Sequence, residues 1–244
     1  LAWRKKSMRK ILELFGDFPK PVKLNAEVIS TQRRNGLVFE RVVFDSEKNM
    51  SVPCIVIRPE GMSLNRKNKA IICSHGHGPF GKETVAGNPD KAMRANMKFH
   101  NYNYGEQMAK KGFLTISPDL RLFGERSHGT WGCAQCNFQF ARESLMGGFY
   151  TLTLNVWDMM RCIDYLETRR EVDAGRIGMM GMSYGGTVTT FTAVADKRIK
   201  AADVIGYINP WKKFAIDRVY FCGSQLLPGI YKHFDLPDVA GLIA

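Results

Sequence analysis

The chain has 244 residues, of which 45% are hydrophobic and 24% charged, a balance typical of one globular domain with a substantial core. The formal net charge is +12, but the basic residues form short clusters in predicted surface segments, and no nucleic-acid-binding module accompanies them. No apolar stretch approaches the roughly 20 residues that span a bilayer. We therefore expect neither a nucleic-acid partner nor a membrane span.

The N-terminal part predicts a helix followed by three strands. Residues 1–24 are expected to form an amphipathic helix, ending at Gly16, and a lead-in that pack on the domain. Strand patterns follow at 26–33, 37–44 and 51–58. Because the turns between these strands are short, we expect the strands to pair antiparallel.

From residue 70 onward, strands alternate with helices, which predicts a mostly parallel sheet with helices on both faces. The whole of 25–244 is therefore assigned to one α/β domain. Strands are predicted at 70–73, 113–117, 177–181 and 201–208. Helices are predicted at 152–166 and 185–195, residues 94–111 are expected to be helical or partly irregular, and residues 127–148 are expected to be loop-rich.

Residues 181–185 read Gly-Met-Ser-Tyr-Gly, a G-x-S-x-G pattern between a predicted strand and a predicted helix. That context is typical of a nucleophile elbow, a sharp turn that exposes a serine hydroxyl above the end of a parallel sheet. A bare G-x-S-x-G also occurs by chance in glycine-rich turns. The flanking elements favour Ser183 as a nucleophile that cleaves acyl bonds.

A second motif, His75-Gly76-His77-Gly78, directly follows the strand at 70–73. Such a loop can bring backbone N–H groups close to a ligand, as serine acyl hydrolases require for the oxyanion of their tetrahedral intermediate. The alternative is a metal site, because two imidazoles stand two residues apart. No carboxylate–histidine pair follows at metal-binding spacing, so we expect no metal here.

The six cysteines predict no cofactor. Cys54, Cys73 and Cys162 lie in apolar patterns and are expected to be small buried hydrophobes. Cys133 and Cys136 form a C-x-x-C, but zinc would need further ligands, and a redox pair would need to open a helix, whereas this pair is predicted to follow a loop. The cysteine usage favours a reducing compartment such as the cytoplasm.

Several segments in order give the chain its family likeness. They are the 75–78 loop with Gly81-Lys82-Glu83, the run from Pro118 to Arg126, Val156-Trp157-Asp158, Val172-Asp173 before Arg176-Ile177-Gly178, and the Ser183 elbow. On these segments the sequence resembles the α/β-hydrolase superfamily, and within it the dienelactone hydrolase and acetyl xylan esterase-like group. The resemblance covers almost the whole chain from about residue 25.

The resemblance implies site roles. It makes Ser183 the nucleophile and the backbone N–H groups of Tyr184 and His77 the oxyanion hole. It also implies that six further residues line or order the site, namely His75, Gly76, Gly78, Asp119, Arg121 and Glu125. For Asp119, Arg121 and Glu125, the alternative is a structural salt-bridge cluster.

A serine nucleophile also needs a histidine base and an orienting carboxylate, which in α/β-hydrolases follow the serine in the order acid, then histidine. Only 61 residues follow Ser183, and they contain one clear strand and a single histidine, His233. His233 is a weak candidate because it precedes the segment that normally leads to the acid. We expect the strands carrying the acid and the base to be absent, so that the hydrolase domain is C-terminally truncated.

These observations predict a serine carboxylic-ester hydrolase whose substrate is a small-molecule or carbohydrate ester, with no cofactor. A homo-oligomer is compatible with this prediction. One alternative is an inactive or truncated hydrolase-fold domain that acts as a binding module. Another is a peptidase of the prolyl oligopeptidase type, which shares the fold and the elbow.

Overall fold

One mixed sheet organises the fold in the computed structural model, which describes residues 2–127, 133–146, 150–218 and 221–243. The sheet order is β1-β2-β3-β5-β4-β6-β7, and each predicted strand is confirmed to within a few residues. The strands are β1 (Glu27–Arg34), β2 (Leu37–Glu47), β3 (Met50–Pro59), β4 (Asn68–Ser74), β5 (Leu114–Pro118), β6 (Val172–Met182) and β7 (Ile199–Ile205).

The sheet changes direction where the sequence pattern changes. The pairs β1–β2, β2–β3 and β3–β5 are antiparallel, whereas β5–β4, β4–β6 and β6–β7 are parallel. The first hairpin closes at Asn35 and Gly36, which both have positive φ (52° and 72°), as a tight hairpin turn requires. The predicted antiparallel start and parallel continuation are therefore both confirmed.

Helices cover both faces of this sheet. They are α1 (Ala2–Phe15), α2 (Lys82–Val85), α3 (Lys91–His100), α4 (Tyr104–Lys110), α5 (Cys133–Met146), α6 (Thr151–Thr168), α7 (Tyr184–Ala195) and α8 (Leu236–Ala240). Short turns of 3-10 helix occur at Gly124–Arg126, Gly223–Gln225 and Ile230–Lys232, and a π-helical turn at Lys212–Asp217. Each described helix is too short or too polar to cross a bilayer.

Adjacent residues of the central strands face different cores, as the two-residue strand period requires. Ile72 and Met179 belong to the larger core, which also contains buried residues of α1, α6 and α7. Cys73 and Met180 face a smaller core with residues of α2 and α4. Burial on both faces explains why these strands are continuous apolar runs rather than alternating ones.

The N-terminal helix packs on this scaffold through its apolar stripe. Ile11 and Phe15 are fully buried, and the Phe15 ring meets Phe191 of α7 edge-on at a centroid distance of 5.9 Å. At the start of α1, Arg4 donates a 2.8 Å hydrogen bond to the Leu242 carbonyl, beyond α8. The two ends of the described chain are thus in contact.

One secondary-structure prediction needs correction. The loop-rich prediction for 127–148 is wrong over 133–146, which form α5; residues 128–132 and 147–149 lie outside the described residues. Cys133 and Cys136 therefore lie in the first turns of a helix. The segment 94–111 is helical with an irregular break, as predicted, because Asn101 adopts a left-handed conformation (φ 51°) that ends α3 before α4 begins.

The prediction for three of the cysteines is confirmed. Cys54, Cys73 and Cys162 are at most 1% exposed and lie among core side chains. Burial raises the pKa of Cys73 and Cys162, which keeps these thiols protonated and unreactive.

Candidate active site

Ser183 occupies a sharp turn between β6 and α7, with φ 56° and ψ −116°. Its side chain is exposed, and its backbone N–H donates to the Ile205 carbonyl at the end of β7 (2.9 Å). A serine held in this sparsely populated conformation needs surrounding structure to maintain it. The predicted strand–turn–helix context is present, and the turn presents the hydroxyl to solvent.

The two glycines of the elbow allow close packing that other residues would prevent. A Cβ atom on Gly185 would lie 2.0 Å from the Ser74 carbonyl oxygen, and one on Gly181 would lie 2.3 Å from the Gly185 carbonyl oxygen. Both distances are far below van der Waals contact. The G-x-S-x-G spacing is thus required by the packing of α7 against the end of β4.

The register of the sheet brings the 75–78 loop to this elbow. Ser74, the last residue of β4, pairs with Gly181 of the adjacent β6. A Cβ atom on Gly76 would lie 3.2 Å from the Ser183 Cβ and 2.7 Å from the Met182 carbonyl oxygen. The loop therefore passes directly beside the serine. Gly78 is different, because the space around it is open.

The side chains of His77 and Tyr184 meet across the gap between loop and elbow. Their rings stack with a centroid distance of 4.8 Å, and Phe123 packs edge-on against the His77 ring at 5.6 Å. Tyr184 is the first residue of α7, so its N–H has no carbonyl partner within the helix. The two residues that the resemblance assigns to an oxyanion hole are therefore neighbours.

His75 is buried and its two ring nitrogens are both occupied. Nε2 accepts a hydrogen bond from the Leu120 N–H (3.0 Å), so the proton of the neutral ring lies on Nδ1, which donates to the Gly76 carbonyl (2.7 Å). Burial lowers the pKa of His75, which favours this neutral form. The geometry assigns His75 to holding the loop rather than to proton transfer.

Asp119 is the centre of a buried ion cluster beneath the loop. Its carboxylate accepts from the Lys82 Nζ (2.6 Å), the Lys82 N–H (2.8 Å) and the Glu125 N–H (3.0 Å). Lys82 is only 1% exposed and also contacts the Glu125 carboxylate. Burial opposes the charge of Lys82, but the Asp119 and Glu125 carboxylates outweigh it and raise the pKa of Lys82. These contacts support the structural alternative for Asp119 and Glu125.

Arg121 makes a second buried cluster that connects to the elbow. Its guanidinium binds Asp158 (2.9 Å) and Glu47 (2.6 Å), while its N–H donates to the Asn155 Oδ1 (2.8 Å). The Asn155 Nδ2 in turn donates to the Tyr184 hydroxyl (2.9 Å). Arg121 therefore stabilises the residue that follows the nucleophile, through side chains that sequence patterns do not link.

The structure does not bring His233 to the serine. His233 is exposed and shares a groove with α1 side chains such as Trp3 and Lys6. The expectation that it is a candidate base is therefore not supported. Within the described residues, the Ser183 hydroxyl makes no hydrogen bond to any side chain.

A cluster that sequence reasoning missed lies beside the stacked His77. A ring nitrogen of His77 and the Sγ atoms of Cys136 and Cys222 all lie within 4.8 Å of one another. Hydrogen bonding by Cys136 outweighs burial and lowers the pKa of Cys222 to about 4. Cys222 is 86 residues from Cys136, so no local spacing could have revealed the cluster.

The fold and the elbow define an α/β-hydrolase of the serine hydrolase type. A family model described as X-Pro dipeptidyl-peptidase (S15 family) matches residues 54–236. The chain belongs to this family. The solved structures that follow, which include a candidate acetyl xylan esterase, confirm the predicted fold.

The chain is also similar to a curated relative in sequence and to solved structures in fold. A candidate hydrolase of Bacillus subtilis, YtaP, is 23% identical over 99% of this chain and 77% of its own. A candidate acetyl xylan esterase from Bacteroides fragilis superposes with a TM-score of 0.81 at 18% identity, over 100% of this chain and 65% of its own. A glucuronoyl esterase from Solibacter usitatus gives a TM-score of 0.67 at 17% identity, over 100% and 72%. The chain thus spans about two thirds of the length of the Bacteroides fragilis protein.

Proposed function

We propose that this protein is a serine carboxylic-ester hydrolase that forms an acyl-enzyme on Ser183, with an acetylated carbohydrate as its substrate class. The observation that carries the proposal is the exposed Ser183 at φ 56°, flanked by the stacked His77 and Tyr184. An exposed serine on a strained turn, next to two backbone segments that can donate N–H groups, suits attack on a carbonyl carbon.

In the proposed mechanism, the Ser183 Oγ attacks the ester carbonyl and forms a tetrahedral intermediate. The N–H groups of His77 and Tyr184 donate hydrogen bonds to its oxyanion. Collapse of the intermediate expels the alcohol and leaves an acyl group on Ser183, which water then removes. The proton of Ser183 goes to a histidine base that the described residues do not supply.

The choice of ester and of a carbohydrate rests on two supports. An ester releases an alcohol, which departs with less help from a general acid than the amine of a peptide does. The solved structures with the same fold include a candidate acetyl xylan esterase and a glucuronoyl esterase. These likenesses support a carbohydrate ester as the first substrate to test.

The test compares the chain with its Ser183→Ala variant on p-nitrophenyl acetate, on acetylated xylan and with a fluorophosphonate probe. Where the histidine base is present, removing the nucleophile should lower turnover by about 10³-fold or more and abolish covalent labelling. Ser63→Ala is a matched control, because Ser63 is exposed and lies between β3 and β4, at the opposite end of β4 from the site. Ester turnover that survives Ser183→Ala would contradict the proposal.

A peptidase is the second candidate, because the matching family model is described as an X-Pro dipeptidyl-peptidase. Its substrate would present a free N-terminus and a proline before the scissile bond. An aminoacyl-prolyl p-nitroanilide tests this directly. Turnover of the anilide with higher kcat/KM than that of the acetate, again dependent on Ser183, would favour the peptidase.

The third candidate is a binding module without catalysis. It is favoured if neither substrate is turned over and the probe does not label Ser183 in a folded sample. In that case the exposed elbow and its neighbours would serve as a ligand pocket only.

A further inference from the structure

His77, Cys136 and Cys222 come from three separate parts of the chain: the loop after β4, the first turns of α5, and the segment before the 3-10 turn at Gly223–Gln225. Their ligand-bearing atoms nevertheless all lie within 4.8 Å of one another. Cys136 and Cys222 are 1% and 5% exposed, and His77 is half-buried. The fold thus gathers two thiols and one imidazole in a largely enclosed space.

The two histidines of the 75–78 loop differ in the hydrogen bonds that their ring nitrogens make. Both nitrogens of His75 make hydrogen bonds, so it has no lone pair to offer. The Nε2 of His77 is buried and, within the described residues, has no hydrogen-bond partner. The His77 ring does interact with Cys222, whose pKa it helps to lower, so the imidazole already faces the sulfur atoms.

Two thiolates and one imidazole form a donor set that zinc and other soft cations prefer. Such a set also occurs with three protein ligands and one position left for water or a substrate. The cluster has the ligand number and type of that arrangement. The C-x-x-C contributes Cys136, and the second sulfur comes from Cys222.

We infer that His77, Cys136 and Cys222 form a metal site for a single Zn²⁺ ion, held by three protein ligands. The metal is bound by both sulfurs as thiolates, and any thiol proton still present is released to solvent, so no oxidant or reductant is involved. The ion would tie the 75–78 loop to α5 and to the segment around Cys222. The site shares His77 with the proposed oxyanion hole, which uses only the backbone N–H of that residue, so metal binding is tested independently of ester hydrolysis.

The test uses the whole chain, purified with a thiol reductant, treated with a chelator and then titrated with Co²⁺ as a spectroscopic substitute for Zn²⁺. We expect one equivalent of Co²⁺ to give a sulfur-to-metal charge-transfer band, and Zn²⁺ to displace it. Cys222→Ser and Cys136→Ser each remove a ligand and should weaken metal binding by more than about 100-fold. Losing a residue that only hydrogen-bonds to a ligand typically weakens binding by roughly 10- to 100-fold. Cys73→Ala is the matched control, because Cys73 is buried in a different core, and its band should persist.

A measurement on the unmodified chain avoids any doubt about whether the variants fold. X-ray absorption at the zinc edge should report two sulfur ligands and one imidazole nitrogen. A site with no sulfur ligand, or a charge-transfer band that Cys222→Ser leaves unchanged, would overturn the inference. The inference would also be overturned if the reduced chain binds no metal while the chain kept without reductant loses two mass units by forming a Cys136–Cys222 disulfide.

Discussion

Replacing Lys82 with methionine should strongly destabilise the fold, because it leaves the Asp119 carboxylate buried without its cation. Lys82 is 1% exposed and Asp119 0%, and their charged groups are 2.6 Å apart. Asp119 would keep only two N–H donors, from residue 82 itself and from Glu125. Breaking a buried pair from one side costs about 3–5 kcal/mol, whereas Glu125 is 58% exposed and its contact with Lys82 adds at most about 1 kcal/mol.

Urea unfolding at neutral pH measures this free energy of unfolding, provided that the m value stays constant. Lys10→Met is the control, because Lys10 and Glu13 form an ion pair that is 33% and 65% exposed, so its loss should change the stability little. The double variant Lys82→Met with Asp119→Asn should cost less than the two single costs together, by about 0.5–3 kcal/mol. A loss below about 1 kcal/mol for Lys82→Met, or full additivity, would refute the reasoning.

Three further predictions concern the elbow and its loop. Gly185→Ala should lower the free energy of unfolding in urea by about 3 kcal/mol or more, because the new Cβ would lie 2.0 Å from the Ser74 carbonyl oxygen. Helix propensity alone would make the variant more stable, and that result would contradict the prediction. Burial lowers the pKa of His75 in the fold, so the unfolded chain binds more protons than the folded chain below about pH 6.5. The free energy of unfolding should therefore decrease as the pH is lowered through this range, by up to about 1.4 kcal/mol per pH unit. A His75→Gln variant should show a flatter pH dependence, and an unchanged slope would exclude His75 as the cause. Tyr184→Phe should cost about 1–3 kcal/mol in thermal or urea unfolding, since it leaves the Asn155 amide without its acceptor, and no loss would mean that water replaces the hydroxyl.

The strands and the elbow could be predicted because their signals are local. The apolar run before His75 predicts a strand buried on both faces, and the glycines around Ser183 predict a tight turn, since each depends on neighbouring residues only. The same holds for the hairpin at Asn35-Gly36. Their patterns can be recognised from neighbouring residues without knowledge of the tertiary contacts.

The helix α5 and the cysteine cluster could not be predicted for the opposite reason. The 133–146 segment has no clear apolar stripe, and one of its buried contacts is with a distant part of the chain, where Phe140 packs on Gly223. Likewise, Cys136 is placed beside Cys222 by the fold and not by spacing. The buried pairing of Lys82 with Asp119, 37 residues apart, also depends on tertiary structure that a charge pattern does not reveal.

The close approach of Gly185 to Ser74 has a consequence for how substrate preference can vary. Helix α7 and the end of β4 leave no room for a side chain between them. The packing beneath Ser183 therefore tolerates little sequence variation. Differences in selectivity among proteins built this way must arise from the walls above the serine, where glycine-to-backbone contacts do not constrain the sequence.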